Sequence, residues 1–220
     1  LNPYAWNLAS TPYEDSNPKF PEAEKVNDIA YGKNRALLAW YTVDGIFTRK
    51  SSSSRPRHLT NDDLSNHYTR GVSYKEIFPN KELGTNDNTT LPVLNLAFYP
   101  NERGPYNLDA ENVNSDGTLG NPEKRWGGVM RKIEPSDLES ANYEYIEFWL
   151  LDPYLEDETA EGGDLYFNLG EISEDILKDE RKFFENGMPV DGDMSKVDTT
   201  VWGKVPRTQS TGYAFDAQNR

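Results

Sequence analysis

Three consecutive stretches carry the strongest strand pattern in the sequence: RWGGVM at residues 125–130, YEYIEFWLL at residues 143–151 and GGDLYFNLG at residues 162–170. Each stretch alternates or masses apolar side chains between glycines and prolines, which is the pattern of a β-strand. The polar segment at residues 171–185 then changes to the period of a helix. These stretches predict a mainly β domain with one or two short helices and long loops.

Two apolar runs upstream of these stretches also indicate strands. Residues 91–99 place every second apolar side chain on one face. Residues 34–47 are apolar on both faces, which predicts a strand covered on both sides. Helix is an alternative for this second run, because its alanines and leucines have good helix propensity.

Proline usage and loop composition suggest the domain boundaries. Residues 1–30 are crowded with prolines and polar side chains, which predicts an extended lead-in. Residues 31–205 are expected to form a single β-sandwich domain. Residues 206–220 are expected to be a C-terminal linker.

Composition limits the function classes that are available. The 220 residues carry a formal net charge of −14, which repels phosphate backbones and anionic lipids, so nucleic acid is not an expected partner. The absence of cysteine excludes disulfides and thiolate sites. No apolar run of about 18 residues could span a bilayer as a helix, and the first residues lack the pattern of a signal peptide. The chain is therefore expected to be water-soluble.

Catalytic motifs are lacking in the sequence. His58 and His67 both lie in polar loop regions, which gives little support to a Ser-His-Asp arrangement. The nucleophile-elbow, P-loop and zinc-protease motifs are absent. Carboxylate pairs such as Glu144 and Glu147 could serve a glycosidase, but they are equally suited to a solvated face. The sequence predicts that the chain is not an enzyme.

One loop has the spacing of a calcium-binding loop. Asn112, Asn114 and Asp116 stand at alternate positions before a glycine, and Glu123 occupies the twelfth place. However, an asparagine stands where the first aspartate is usual, and Pro122 stands where a helix should begin. A simple turn made by the Asn-Ser-Asp-Gly sequence is the alternative. No other cofactor is expected.

The alternation in the second stretch places three candidate ligand-binding residues on one face. Tyr145, Glu147 and Trp149 share this face, and exposed aromatic rings on a β-sandwich can stack on sugars. The alternative is that the rings pack against a second sheet, because large aromatic side chains are usually mostly buried.

Several uncommon phrases, spread from about residue 30 to the end, resemble one family. The chain is similar to the gliding-motility SprA and Sov family, the very large outer-membrane translocons of the type IX secretion system of Bacteroidetes. The phrases are NRA at 34–36, LAWY at 38–41, ERGPYN at 102–107, NPE at 121–123, RWGG at 125–128, EYIEFWL at 144–150, GGDLYFNLG at 162–170, SEDILKD at 173–179 and WGKVP at 202–206.

The resemblance implies a giant β-barrel through which folded proteins reach the cell surface. The resemblance also implies that this chain is an internal piece of a much longer protein. Its strands lack the repeated spans of a lipid-facing barrel wall. It would be a soluble part at one mouth of the barrel, facing the cell surface or the periplasm. The implied partners are secreted cargo proteins and accessory outer-membrane subunits, and the family carries no catalytic residues.

The strand order is also similar to that of galactose-binding-like jelly rolls, so a jelly-roll β-sandwich is the expected fold. That fold does not by itself establish sugar binding. A carbohydrate-binding module at the cell surface is the alternative function, and an enzyme is a third.

Overall fold

The structure is a computed structural model. It describes residues 2–12, 19–25, 28–48, 53, 55–133, 137–155, 157, 159–170, 172–173, 175, 193–199 and 204–207. The chain divides into two compact units. Unit 1 comprises Leu1–Ala5, Trp40–Asn95 and Arg131–Phe167, and unit 2 comprises Trp6–Ala39, Leu96–Met130 and Asn168–Arg220.

Short strands and single helical turns make up the regular structure of the described residues. The strands are β1 (Asn7–Leu8), β2 (Ala36–Tyr41), β3 (Val72–Ser73), β4 (Thr90–Leu91), β5 (Asn95–Arg103), β6 (Val129–Met130), β7 (Val197–Thr199) and β8 (Lys204–Pro206). The α-helices are α1 (Asn61–Ser65) and α2 (Tyr74–Ile77). The 3-10 turns are Pro3–Ala5, Pro21–Glu24, Ile29–Gly32, Gly45–Phe47, Pro122–Lys124 and Met194–Lys196.

The strands pair two by two into small sheets: β1 with β6, β2 with β5, β3 with β4, and β7 with β8. The β1–β6, β3–β4 and β7–β8 pairs are antiparallel. The fold is therefore β-rich with few short helices, as the sequence predicts. The finer jelly-roll arrangement and the single domain over residues 31–205 stay predictions.

Unit 2 packs its backbone closely around the start of β2. A parallel bridge joins Arg35 to Trp126, and the Ala36 N–H donates to the Trp126 carbonyl at 2.8 Å. Gly127 lies against Leu38 and Phe98, and a Cβ at Gly127 would stand 2.8 Å from the Leu38 Cβ. The glycine at this position therefore allows the two backbones to pack closely.

Unit 1 begins its first helix with a complete capping box. The Thr60 hydroxyl accepts from the Asp63 N–H at 3.2 Å, and the Asp63 carboxylate accepts from the Thr60 N–H at 2.7 Å. These reciprocal bonds satisfy N–H groups that a helix start otherwise leaves unpaired. Leu64 on this helix and Val72 on β3 are the buried apolar side chains of unit 1 among the described residues.

The strand predictions are confirmed in part. The runs at 34–47 and 91–99 contain β2 and β5, so the helix alternative for the first run is wrong. β2 is covered only in part, because most of its side chains are half-buried.

The strand predictions for residues 145–151 and 165–169 are wrong, because this part of the described chain is irregular. Residues 144–151 form no backbone hydrogen bond with any described residue, and a strand requires a paired neighbour. The predicted helix in residues 171–185 lies almost wholly outside the described residues.

Candidate functional site

Unit 1 carries a continuous stretch of chain whose large apolar side chains face solvent. We call it the 143–167 surface. Its exposed members are Tyr143, Tyr145, Ile146, Phe148, Trp149, Leu150, Tyr154, Leu155, Leu165, Tyr166 and Phe167. Exposed apolar side chains that stand singly are ordinary, whereas contiguous ones mark contact sites.

The three candidate ligand-binding residues all lie on this surface. Tyr145 is 80% exposed and Trp149 is 73% exposed, and Glu147 is exposed as well. The rings therefore do not pack beneath a second sheet, which was the alternative in the sequence. This placement leaves all three side chains accessible to a ligand or a partner.

Two ring contacts organise the surface. The ring centroids of Phe148 and Phe167 lie 4.6 Å apart, which brings the stretches at 143–151 and 162–170 together. The Trp149 ring meets Phe78 edge to face at 6.4 Å. Aromatic pairs of this geometry contribute about 0.5–1.5 kcal/mol beyond their buried area.

Phe78 also lines a cleft of about 470 Å³ beside α2, together with Ile77, Pro79, Asn80 and Lys81.

Two side chains hold the turn that follows residue 151. His67 Nε2 lies 2.6 Å from the carbonyl of Asp152, and the Tyr68 hydroxyl donates to the carbonyl of Pro153 at 2.7 Å. Both side chains come from the turn after α1. The sequence did not single out Phe78, His67 or Tyr68 as neighbours of Trp149, because their proximity depends on contacts between distant parts of the chain.

The calcium-like loop forms a hairpin turn closed by its own hydrogen bonds. The Asp116 carboxylate accepts from both the N–H (3.0 Å) and the hydroxyl (2.7 Å) of Thr118, which holds the pKa of Asp116 below its ordinary value. The Asn114 side chain donates to the Thr118 hydroxyl at 2.9 Å. Asn112 donates to Asp109, and Glu123 lies exposed in a 3-10 turn.

These contacts give the loop the geometry of the turn alternative. Nowhere in the described chain do three or more His, Asp or Glu side chains come together in a way that could hold a metal. The calcium hypothesis stays a prediction.

Unit 2 contains a buried polar network around Trp126. The Glu22 carboxylate accepts from the Trp126 indole at 2.8 Å and from the Asn34 amide at 2.8 Å. The Arg35 guanidinium lies over the Trp126 ring at 4.6 Å. A cation over the face of an indole ring is attracted by the quadrupole of the ring.

Arg35 is wholly buried. Its Nη1 donates to the carbonyl of Ala9, whereas Nε and Nη2 have no hydrogen-bond partner among the described residues. Burial lowers the pKa of Arg35 to about 10, so the side chain remains cationic at neutral pH. Its charge is compensated by the ring of Trp126 and by nearby Glu22.

A buried ion pair extends this network to the loop at 105–112. Arg125 Nη1 donates to the Asp109 carboxylate at 2.9 Å, and Arg125 also donates to the carbonyls of Gly120 (2.9 Å) and Lys33 (2.6 Å). Burial opposes the ionisation of Asp109 most strongly. Hydrogen bonds from Arg125 and from the Glu111 N–H, with others, outweigh it and hold the pKa of Asp109 below its ordinary value.

No protein-family model matches the chain, and no curated protein matches it either. Among the described helices, none has the length and apolar character needed to cross a bilayer.

Proposed function

We propose that this chain is a non-catalytic, soluble part of a giant outer-membrane protein-secretion translocon, of the type that SprA and Sov represent. In this proposal it contacts secreted cargo or accessory outer-membrane subunits at one mouth of the barrel, on the periplasmic or the cell-surface side. The observation that carries the proposal is the 143–167 surface, whose apolar side chains are available for contact.

The phrases that resemble the translocon family divide by what they do in the molecule. Those at 34–36, 102–107 and 125–128 supply the buried network of unit 2, including Arg35, Asn107 and Arg125. Those at 144–150 and 162–170 are exposed. The first group is explained by packing in the interior, whereas the second makes only ring contacts at the surface and stays exposed within the described residues. A contact role for the second group is the simplest reason for so many apolar side chains in water.

The finer fold belongs to the same proposal. We infer that the jelly-roll β-sandwich forms when residues 143–151 and 162–170 become strands in contact with a partner. Their period-2 alternation suits strands with one covered face. The small sheets of the described chain would act as the scaffold.

Site-specific photo-crosslinking in the living bacterium tests the proposed function. A crosslinking residue at Tyr145 or Trp149 of the parent protein is expected to capture secreted proteins or outer-membrane subunits. Tyr4, which is 94% exposed in the same unit, is the matched control and is expected to capture neither. Deletion of the parent gene should also abolish secretion of the captured proteins. Unchanged secretion of the captured proteins after this deletion would contradict the proposed function.

A carbohydrate-binding module at the cell surface is the second candidate. The exposed Trp149 ring, with Asn80 and Lys81 in the cleft beyond Phe78, favours it, because sugar sites combine an aromatic platform with polar groups. Titration with neutral oligosaccharides would then quench Trp149 fluorescence, and Trp149→Ala would abolish the response. A glycan screen without any binder would exclude this candidate.

A further inference from the structure

We propose that residues 143–151 are a docking strand for an extended, basic polypeptide segment with alternating apolar side chains. The partner would add its backbone to this stretch by β-strand pairing. This inference rests on the proposed function and specifies the chemistry of the partner.

Residues 143–151 expose a large apolar area to solvent. Within 143–151, Ile146 and Phe148 are each 54% exposed, Leu150 is 65% exposed, and Tyr145 and Trp149 are more exposed still. The two sets of alternating side chains are therefore both open to solvent. A partner can cover either set, and burial of each large side chain contributes about 1.5–3 kcal/mol.

The backbone N–H and C=O groups of this stretch can also pair with a partner. Residues 144–151 make no backbone hydrogen bond with any described residue, yet their composition is that of a strand, rich in aromatic and branched side chains. At an exposed sheet edge, a peptide binds by adding a strand, so that main-chain hydrogen bonds provide affinity and alternate side chains provide specificity. In the proposal, residues 144–151 become such an edge when they pair with the partner.

The negative charge around this stretch indicates a basic partner. Residues 133–177 contain 14 Asp and Glu and no Lys, Arg or His. The rest of the chain holds 23 Asp and Glu against 23 Lys and Arg, so the whole net charge of −14 belongs to this segment. Such a concentrated negative field accelerates the association of cationic partners and repels anionic ones.

The same field decides against other occupants. A second copy of the chain would bring two segments of this charge together, and like charges across an interface are costly. An anionic lipid surface or a nucleic acid is repelled for the same reason. A basic segment instead places Lys or Arg beside Glu144 and Glu147, while its apolar side chains cover the exposed rings.

The test measures the binding of short peptides to the 220-residue chain. The probe is a nine-residue peptide of alternating Lys and Val. One control peptide has Glu in place of Lys, and another has N-methyl groups on alternate amides so that it cannot form the strand ladder. We expect the basic peptide to bind, with an affinity that falls as salt rises. The acidic peptide should not bind, and the methylated peptide should lose at least tenfold, at roughly two- to tenfold per hydrogen bond.

Amide hydrogen exchange gives a direct structural readout. On addition of the basic peptide, protection is expected at every second amide of residues 144–151, because alternate N–H groups of a strand point to the same neighbour. Uniform protection, or none, would overturn strand pairing. Equal binding of the acidic and basic peptides would overturn the charge argument.

Matched charge variants complete the test. The double substitution Glu144→Gln and Glu147→Gln should lower the affinity for the basic peptide by roughly two- to fivefold per carboxylate. Glu82→Gln with Asp62→Asn, which are exposed elsewhere in unit 1, should leave binding unchanged. Peptide binding without crosslinks to secreted proteins in cells would refute the translocon and keep the docking chemistry. Crosslinks to secreted proteins without charge-selective peptide binding would refute the docking chemistry and keep the translocon proposal.

Discussion

Replacement of Asp109 by Asn should destabilise unit 2 strongly. The substitution keeps the side-chain shape but leaves Arg125 as a buried cation without its carboxylate, and the two side chains are only 1% and 3% exposed for Arg125 and Asp109. Removal of one partner of a buried pair costs about 3–5 kcal/mol. Domains are stable by only about 5–15 kcal/mol, so a large share of the stability would be lost.

Urea unfolding, followed by circular dichroism and tryptophan fluorescence, measures this loss. The matched control is Asp116→Asn, the same substitution in the neighbouring turn at an exposed carboxylate, and we expect a far smaller change there. Arg125→Met combined with Asp109→Asn should cost less than the sum of the two single changes, because no unpaired charge remains. Equal losses for Asp109→Asn and Asp116→Asn would refute the reasoning.

The same pair predicts a pH dependence with a definite sign. The pKa of Asp109 in the folded chain lies below its ordinary value of 3.8. Its contribution to stability is therefore complete above about pH 4 and is lost as the pH falls through the folded pKa. The difference in unfolding free energy between the parent chain and Asp109→Asn should shrink across this acid range. A difference that stays constant down to pH 2 would contradict the assignment.

Two further substitutions test the packing of each unit. Gly127→Ala should lower the unfolding free energy by about 1–3 kcal/mol, because the added Cβ would press on Leu38. The control in the same urea assay is Gly163→Ala, whose Cβ would meet only ordinary contacts. Thr60→Ala should cost about 1 kcal/mol by loss of the capping box with Asp63, and a midpoint unchanged from the parent chain would show that the cap does not stabilise unit 1.

Local pattern predicted some of the elements correctly. Apolar side chains on both faces of residues 34–47 and alternation in residues 91–99 indicated strands, and the two runs contain β2 and β5, which pair with each other. The same reasoning failed for residues 145–151, although their alternation is equally clear. A period of two only states that a stretch can form a strand, and pairing requires a neighbour that the alternation does not supply.

The candidate site was predicted in part for the same reason. Tyr145, Glu147 and Trp149 were found from the alternation of one stretch. The Phe78 ring beside Trp149 was not, because 71 positions separate the two in the sequence. Buried polar pairs such as Asp109 with Arg125 were equally invisible, since charged side chains in a loop normally indicate solvent exposure.

Residue types and their order were enough to predict the β-rich character of the chain and to locate all its net charge in residues 133–177. Tertiary structure alone decided which of these features face inward. It buries Arg35 against Trp126 and leaves Trp149 in solvent. Burial depends on contacts between residues far apart in the chain, and those contacts divide otherwise similar aromatic phrases into an interior and a surface available for binding.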